Sequence, residues 1–427
     1  MRIWTTFLAL AAFLAAMAGG PLRAEPSIVF GPSPRALDNQ TLFAPDTVPV
    51  WQDLHEAGVR EILLNGTFLM PVEFRQNPGG TGSYPARPEG SYLRASDLRD
   101  LARLQHDLDL RISYEAGAGL SGKICKGNLT PAARGRQAAL QEFDQTVLRL
   151  EEAGIQVAVL NVDGPFLRLI EGSRKRSSCE DSGQGFGIDT TVRTVQAYLK
   201  TMRDLVARAN PDQQPPQLRL VVNLPNWQLR GLPRRGGGNG VDLADVLTAF
   251  ADLQAQDPEP IIISEIVVDY PYALVLADPD LFRDRNRHLW NASRGINGAQ
   301  EGPDFGYITN SLSYANPCLD REARPDMAFL PYLRGGRPIS AACQRAQTGE
   351  DAPPDGRKDS DADYLRDSLA YADALRPGGV LADQLVVRDG TAIPDHVAHF
   401  YMQSWGMNPM RNLWFADRLA DHLQEGR

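Results

Sequence analysis

Among the carboxylates in strand-like runs, four lie beyond the first residue of the run, three of them where the run gives way to a turn. Side chains alternate along a strand, so each run can be read one face at a time. In QVAVLNVDG (Gln156–Gly164), Val157, Val159, Asn161 and Asp163 share a face that turns from apolar to Asn and then Asp at its exit. A buried strand has no packing reason to finish that way, although Asp-Gly-Pro is also a good turn former. In PIIISEIVVDYPY (Pro260–Tyr272), Ile261, Ile263, Glu265, Val267 and Asp269 share a face, with Asp269 at the exit and Glu265 one layer deeper. Unpaired buried charge is costly, so Glu265 requires an arginine partner or a proton of its own. In LRISYEAG (Leu110–Gly117), Ser113 and Glu115 share a face and Glu115 sits at the exit. Asp163, Asp269, Glu115 and Glu265 are therefore the candidate catalytic groups. Turn formation, capping or a rim salt bridge would account for the exit acids without chemistry. Two acids across a concave site are what glycoside hydrolysis requires. One protonates the leaving oxygen, and the other is the nucleophile or activates water.

Amides and aromatic rings gather at the same ends. Asn65 in EILLNGTF, Asn161, Asn223 and Asn226 in LRLVVNLPNW, and Gln403 in HFYMQSW suit the recognition of hydroxyl groups. Asparagine is equally a turn residue. Trp227 and Trp405 end strand-like runs, and Tyr270 and Tyr272 flank the exit after Asp269. A flat ring can pack against the C–H side of a pyranose, and each of these rings is also a plausible core residue. Competing chemistries lack their motifs. The histidines form no H-x-H or H-E-x-x-H, and G-x-S-x-G is absent. The cysteines form no C-x-x-C, so no metal site and no cofactor are expected.

These residues need a scaffold that gathers strand ends. Further strand candidates are SIVFG (Ser27–Gly31), EILLNGTF (Glu61–Phe68), LRLVVNLPNW (Leu218–Trp227), FGYITNS (Phe305–Ser311), and HFYMQSW (His399–Trp405) or the run near Leu385–Arg388. Amphipathic runs lie between them: Val48–Gly58, Ser96–Asp109 with Ser96 as the cap, Ala132–Gly154, and the segments around Thr190–Asn210, Val241–Gln256, Asp278–Gly295 and Asp361–Gly379. RNLWFADRLADHLQ closes the chain. Such alternation predicts a parallel sheet with crossover helices. The length favours a closed (β/α)8 TIM barrel, one α/β domain over 25–427; no G-x-G-x-x-G follows the first strand and no G-x-x-x-x-G-K-[ST] occurs, so the usual sign of a nucleotide-binding open sheet is missing. Long Gly- and Pro-rich loops follow several strands, which places them on the C-terminal face where barrel chemistry is found.

The layout resembles exported (β/α)8 glycoside hydrolases. In several α-glycosidase families of that kind, an Asp ending the fourth strand is the nucleophile and an Asp on the sixth is the acid/base. VLNVDGP and VVDYPY place Asp163 and Asp269 there. A Trp ending the eighth strand floors the sugar site in many barrel glycosidases, and QSW with Trp405 is similar. The Asn-Glu pair that ends the fourth strand in the largest group of barrel β-glycosidases is absent. The resemblance implies hydrolysis of a poly- or oligosaccharide. A different class fits the same residues: a non-catalytic carbohydrate-binding or cell-envelope polysaccharide assembly protein on a barrel scaffold.

The N-terminus reads as an export signal over 1–24: Arg2, an apolar run from Trp4 to Ala18, then small residues. The run is shorter than a bilayer span of about 20 residues, which predicts a periplasmic or secreted protein with no membrane span after cleavage. The net charge of −9 argues against a nucleic-acid partner and leaves a carbohydrate as the expected one. Cys125, Cys179, Cys318 and Cys343 read as two disulfides in an exported chain. Cys125–Cys179 and Cys318–Cys343 are favoured, because the first pair joins loops of neighbouring strands and the second lies within one loop. N-terminal sequencing of the exported protein should find cleavage after Ala18 or Ala24. An intact Met1 in the exported fraction would contradict the signal.

Overall fold

The computed structural model describes residues 25–34, 36, 38–70, 92–120, 124–125, 127–171, 185–232, 240–298, 301–310, 360–403, 409 and 411–426. The strands are β1 Ser27–Gly31, β2 Glu61–Asn65, β3 Arg111–Ala116, β4 Val157–Asp163, β5 Gln217–Asn223, β6 Ile263–Asp269, β7 Asp304–Ile308 and β8 Val397–Gln403. Each pairs in parallel with the next, and β8 closes on β1 as a (β/α)8 barrel. The helices are α1 Val48–Glu56, α2 Gly66–Leu69, α3 Ala95–Leu108, α4 Pro131–Glu142, α5 Leu148–Glu152, α6 Ile188–Ala209, α7 Leu243–Ala255, α8 Tyr272–Ala277, α9 Pro279–Ser293, α10 Ser360–Leu375 and α11 Asn412–Glu425. Their apolar faces cover the outside of the barrel, as parallel strands require.

Local chemistry corrects several expected boundaries. β2 ends at Asn65 because its Oδ1 accepts the Thr67 N–H at 2.8 Å, which caps α2 where strand had been expected through Phe68. β5 ends at Asn223, and Pro225 sits in a short 3-10 turn, Leu224–Asn226. The eighth strand is Val397–Gln403, whereas Leu385–Arg388 makes only an isolated bridge, Val386 with Ala392. Ser96 is not the cap of α3. The Asp97 carboxylate takes the Arg94 N–H at 2.8 Å instead. The single helix expected over Ala132–Gly154 is broken by a π turn, Phe143–Val147.

Tilted strands supply each interior layer from alternate strands. The register gives five layers from the N-terminal end. The first holds Glu61, Val159, Glu265 and His399; the second, Val29, Ser113, Arg219 and Gly306. Leu63, Asn161, Val267 and Tyr401 follow, then Gly31, Glu115, Val221 and Ile308. Asn65, Asp163, Asp269 and Gln403 form the exit. Apolar side chains of the middle layers pack into one interior cluster.

The lower layers hold an ionic network rather than an apolar plug. Arg219, 1% exposed, donates through Nη1 and Nη2 to Glu61 Oε1 and Oε2 at 2.5 and 3.1 Å. Its Nε lies 3.1 Å from Glu265 Oε2, and Nη1 also donates to the Tyr401 hydroxyl at 2.9 Å. Tyr401 donates to Glu265 Oε1 at 3.1 Å, His399 Nδ1 lies 2.7 Å from Glu265 Oε2, and the Ser113 hydroxyl donates to Glu61. Gly306 makes the room, since a Cβ there would lie 1.9 Å from Glu265 Oε1. Burial pushes Glu61 up, but the charge and hydrogen bonds of Arg219, with His399 and Ser113, outweigh it and hold the carboxyl below its ordinary value. A depressed folded value contributes stability that is present above the ordinary value of 4.5 and lost as pH falls through the folded one. Arg219→Met should cost about 3–5 kcal/mol in urea unfolding, because it strands two buried acids. The loss should be largest above pH 4.5 and shrink in acid. An unchanged urea midpoint at pH 7 would contradict this account.

Candidate active site

The exit layer brings Asp163 and Asp269 to one height, from β4 and β6, with Glu115 of β3 in the layer beneath. Asp163 Oδ2 accepts from Arg168 Nη2 at 2.5 Å, and Arg168 Nε donates to the Asp163 carbonyl at 2.9 Å. Burial works against the Arg168 charge, but the carboxylates of Asp163, Glu115 and Glu142 outweigh it and keep the guanidinium protonated. Asp269, 3% exposed, accepts from Asn223 Nδ2 at 2.5 Å and from Asn310 Nδ2 at 3.3 Å. Glu115 Oε2 accepts from Gln403 Nε2 across the mouth. Arg168 is thus the described cation at a mouth that carries three carboxylates and a ring of amides.

The loop after β3 is held from outside the barrel. Glu142 at the end of α4 is 2% exposed. Its Oε1 accepts from the Tyr114 hydroxyl at 3.0 Å and Gly117 N–H at 3.1 Å, and its Oε2 from the Tyr198 hydroxyl at 2.8 Å and Gly119 N–H at 2.5 Å. Burial pushes the carboxyl up, and the Gly119 amide, the two tyrosines and Arg168 offset only part of that rise. The π turn follows at once, and its Thr146 hydroxyl lies 2.8 Å from that of Tyr114 while donating to the Glu142 carbonyl at 2.7 Å. Gly117 has φ +111°, and a Cβ on it would lie 3.0 Å from the Asp163 carbonyl. Only glycine lets the β3 and β4 exits touch there.

Several residues expected at the site stand elsewhere. Glu265 lies in the first interior layer, with three layers between it and the exit, and is a structural partner of Arg219 rather than a mouth acid. The arginine partner expected for it is present. Tyr270 is fully buried against Phe282, with ring centroids 5.1 Å apart, because it follows inward Asp269 and so points out of the barrel. Tyr272 stacks on Tyr371 at 4.9 Å in the same outer layer. Trp227, 2% exposed, belongs to the core, and its carbonyl accepts from Arg285 Nη1 at 3.1 Å. Tyr270 and Trp227 are therefore core residues, and Tyr272 is half-buried against the core. Asn226 is half-buried in the 3-10 turn, and the Asn65 side chain caps α2 at the rim. Asn161, Asn223 and Gln403 do face the interior at or just below the mouth.

Trp405, Cys179, Cys318 and Cys343 lie outside the described residues, and so do both expected disulfide pairings and the signal segment. Cys125 is fully buried, and no described cysteine is a free thiol. Among the described residues, no cluster of His, Cys, Asp or Glu could hold a metal ion, and no helix is long and apolar enough to cross a membrane.

Three residues of the mouth and its support escaped the sequence reading. Asn310 was legible, since Gly306, Ile308 and Asn310 continue the β7 alternation. Arg168 follows the strand end by five residues, where alternation no longer applies. Glu142 looks like any helical acid until tertiary packing buries it. In Glu142→Gln, either amide orientation turns an NH2 toward a backbone N–H of the loop. The variant should lose about 1–3 kcal/mol and exchange the Gly117–Leu120 amides faster. Unchanged hydrogen exchange there would show that Glu142 does not hold the loop.

No family model matches this chain, and neither does any curated protein sequence. Solved structures resemble it at low identity and low TM-score. The β-glycosidase BGL167 is 10% identical with a TM-score of 0.36, covering 95% of this chain and 97% of its own. A D-psicose 3-epimerase crystallised in the presence of D-fructose is 11% identical with a TM-score of 0.35, covering 80% and 97%. The β-1,4-mannanase of the sea hare Aplysia kurodai is 12% identical with a TM-score of 0.29, covering 58% and 71%.

Proposed function

We propose that the chain is an exported glycoside hydrolase that cleaves a poly- or oligosaccharide at the mouth of the barrel. The observation that carries this reading is the exit layer itself: Asp163 and Asp269 at one height, Glu115 beneath them, and amides around all three. Asp269 protonates the leaving oxygen, and the electron pair of the breaking C–O bond goes to that oxygen. Asp163, its orientation fixed by Arg168, either attacks the anomeric carbon to form a glycosyl ester, which water then cleaves as Asp269 takes its proton and Asp163 leaves, or takes a proton from the water that attacks the anomeric carbon directly. The separation of the two carboxyl groups on the bound sugar selects between these routes, and proton NMR of the first-formed anomer reads the choice. The amides take ring hydroxyls. The apolar segment from Trp4 to Ala18 supports export to the periplasm or the medium.

The ion pair between Asp163 and Arg168 favours a second reading, in which the carboxylates only bind and the protein is a carbohydrate-binding or envelope-assembly component. One experiment separates the two. Mature protein and an Asp163→Asn variant are incubated with bacterial and plant polysaccharides, and released oligosaccharides are detected by mass spectrometry. The hydrolase reading expects release by the wild type and a fall of about 10²–10⁴-fold in the variant. Equal release by both would move the nucleophile to Glu115 or Asp269. Binding without release, unaffected by the substitution, would favour the second reading.

A further inference from the structure

Asn161 is fully buried, and neither its amide nitrogen nor its amide oxygen has a hydrogen-bond partner among the described residues. Such a residue costs stability unless something satisfies it. Its layer companions are Leu63, Val267 and Tyr401, so leucine, of similar size, would suit the position better if packing alone mattered. Asn161 lies two residues before Asp163 on the same inward face of β4 and pairs in register with Glu115. It therefore stands about 6.6 Å down the strand from the exit carboxylate. The side-chain carbonyls of Gln403 and Asn310, at the mouth above it, are likewise buried without a donor among the described residues.

Two further observations describe how this level is covered. Gln403 reaches from β8 to Glu115 on β3, above the layer of Asn161. It can lie there because residue 31 is glycine: a Cβ at Gly31 would meet Gln403 Cβ and Cγ at 2.9 and 3.0 Å. A bound group that takes over the Glu115 contact frees the Gln403 amide, which lies above Asn161 beside Val221 and Ile308 of the fourth layer.

An unsatisfied amide offers both a donor and an acceptor. The group that matches it must accept and donate as well, which a hydroxyl does and a carboxylate, an ammonium or a methyl does not. Of the parts of a hexopyranose lodged among Asp163, Asp269 and Glu115, the one-carbon arm is the narrowest that carries a hydroxyl able both to donate and to accept. We propose that the mouth contains a recessed subsite in which Asn161, uncovered by displacement of Gln403 from Glu115, holds the hydroxymethyl group of a hexopyranose. This inference rests on reading the mouth as a sugar site and assigns that site to hexoses over pentoses.

The test uses sugar pairs that differ only in this arm: D-glucose with D-xylose, D-mannose with D-lyxose, and D-galactose with L-arabinose. Binding is titrated through the ligand-induced rise in Tm of the mature protein and of Asn161→Leu and Asn161→Ser. At least one hexose should bind about tenfold or more tightly than its pentose counterpart. Asn161→Leu should erase that preference by weakening the hexose alone, and should raise the Tm of the unliganded protein. Asn161→Ser, which keeps a small polar group, should retain part of the preference and stands in if the leucine variant does not fold. Equal binding of hexose and pentose by the wild type, a preference that survives in Asn161→Leu, or a lower unliganded Tm in that variant would overturn the recessed subsite while leaving the sugar site in place. No binding of any sugar, monomeric or polymeric, by the wild type would overturn both.

Discussion

Closure of the barrel is the constraint on which every functional statement depends. Following the paired residues from Asn65 through Glu115, Asn161, Arg219 and Glu265 to Asp304 descends from the exit of the barrel to its entrance. A position on a strand therefore has no fixed height until the neighbouring registers are known. The descent brings Asp163 and Asp269 level although they lie on strands two apart. It also separates Asp269 from Glu265, four residues earlier on one strand, into opposite zones of the interior.

Those two zones treat polar groups in opposite ways. At the lower end, Arg219, Glu61, Glu265, Tyr401 and Ser113 satisfy one another, and the charges are enclosed with their partners. Removing one member leaves the rest buried and unpaired, so the group stands or falls as a unit. Toward the mouth, buried amide atoms of Asn161, Gln403 and Asn310 find no partner among the described residues. A chain selected for stability alone would fill such positions with apolar residues. Sites that act on polar ligands keep them and accept the lower stability.

Support for the mouth comes from beyond the barrel wall. Glu142, on a helix that packs outside the strands, grips the loop that leaves β3, and Gly117 presses that loop against the end of β4. Arg168 completes the contact by holding both the side chain and the carbonyl of Asp163. The exits that carry Glu115 and Asp163 are thereby fixed as one piece, which is how a carboxylate pair keeps its geometry on a surface built from loops.

Much of this was legible in the sequence, and the limit of legibility has a physical cause. Alternation along each strand identified the inward faces, the exit acids Asp163, Asp269 and Glu115, and the need of Glu265 for a basic partner, because side-chain direction in a strand is a local property. The succession of strands and amphipathic helices likewise led to a closed parallel barrel. Alternation cannot assign height, so Glu265 looked like a deeper member of the site when it belongs to the ionic base. Nor could it separate a ring that ends a strand facing inward from one facing outward once the strand boundary shifted, and Tyr270 and Trp227 went into the core for that reason, with Tyr272 packed against it. Arg168 and Glu142 carried no local signal at all, since a loop and a helix bring them to Asp163 and Gly117 only after the chain has folded. The sequence by itself determined which residues face the interior. The tertiary structure alone decided at what depth they stand and which of them find partners, because depth and partnership are set by the register of eight strands at once.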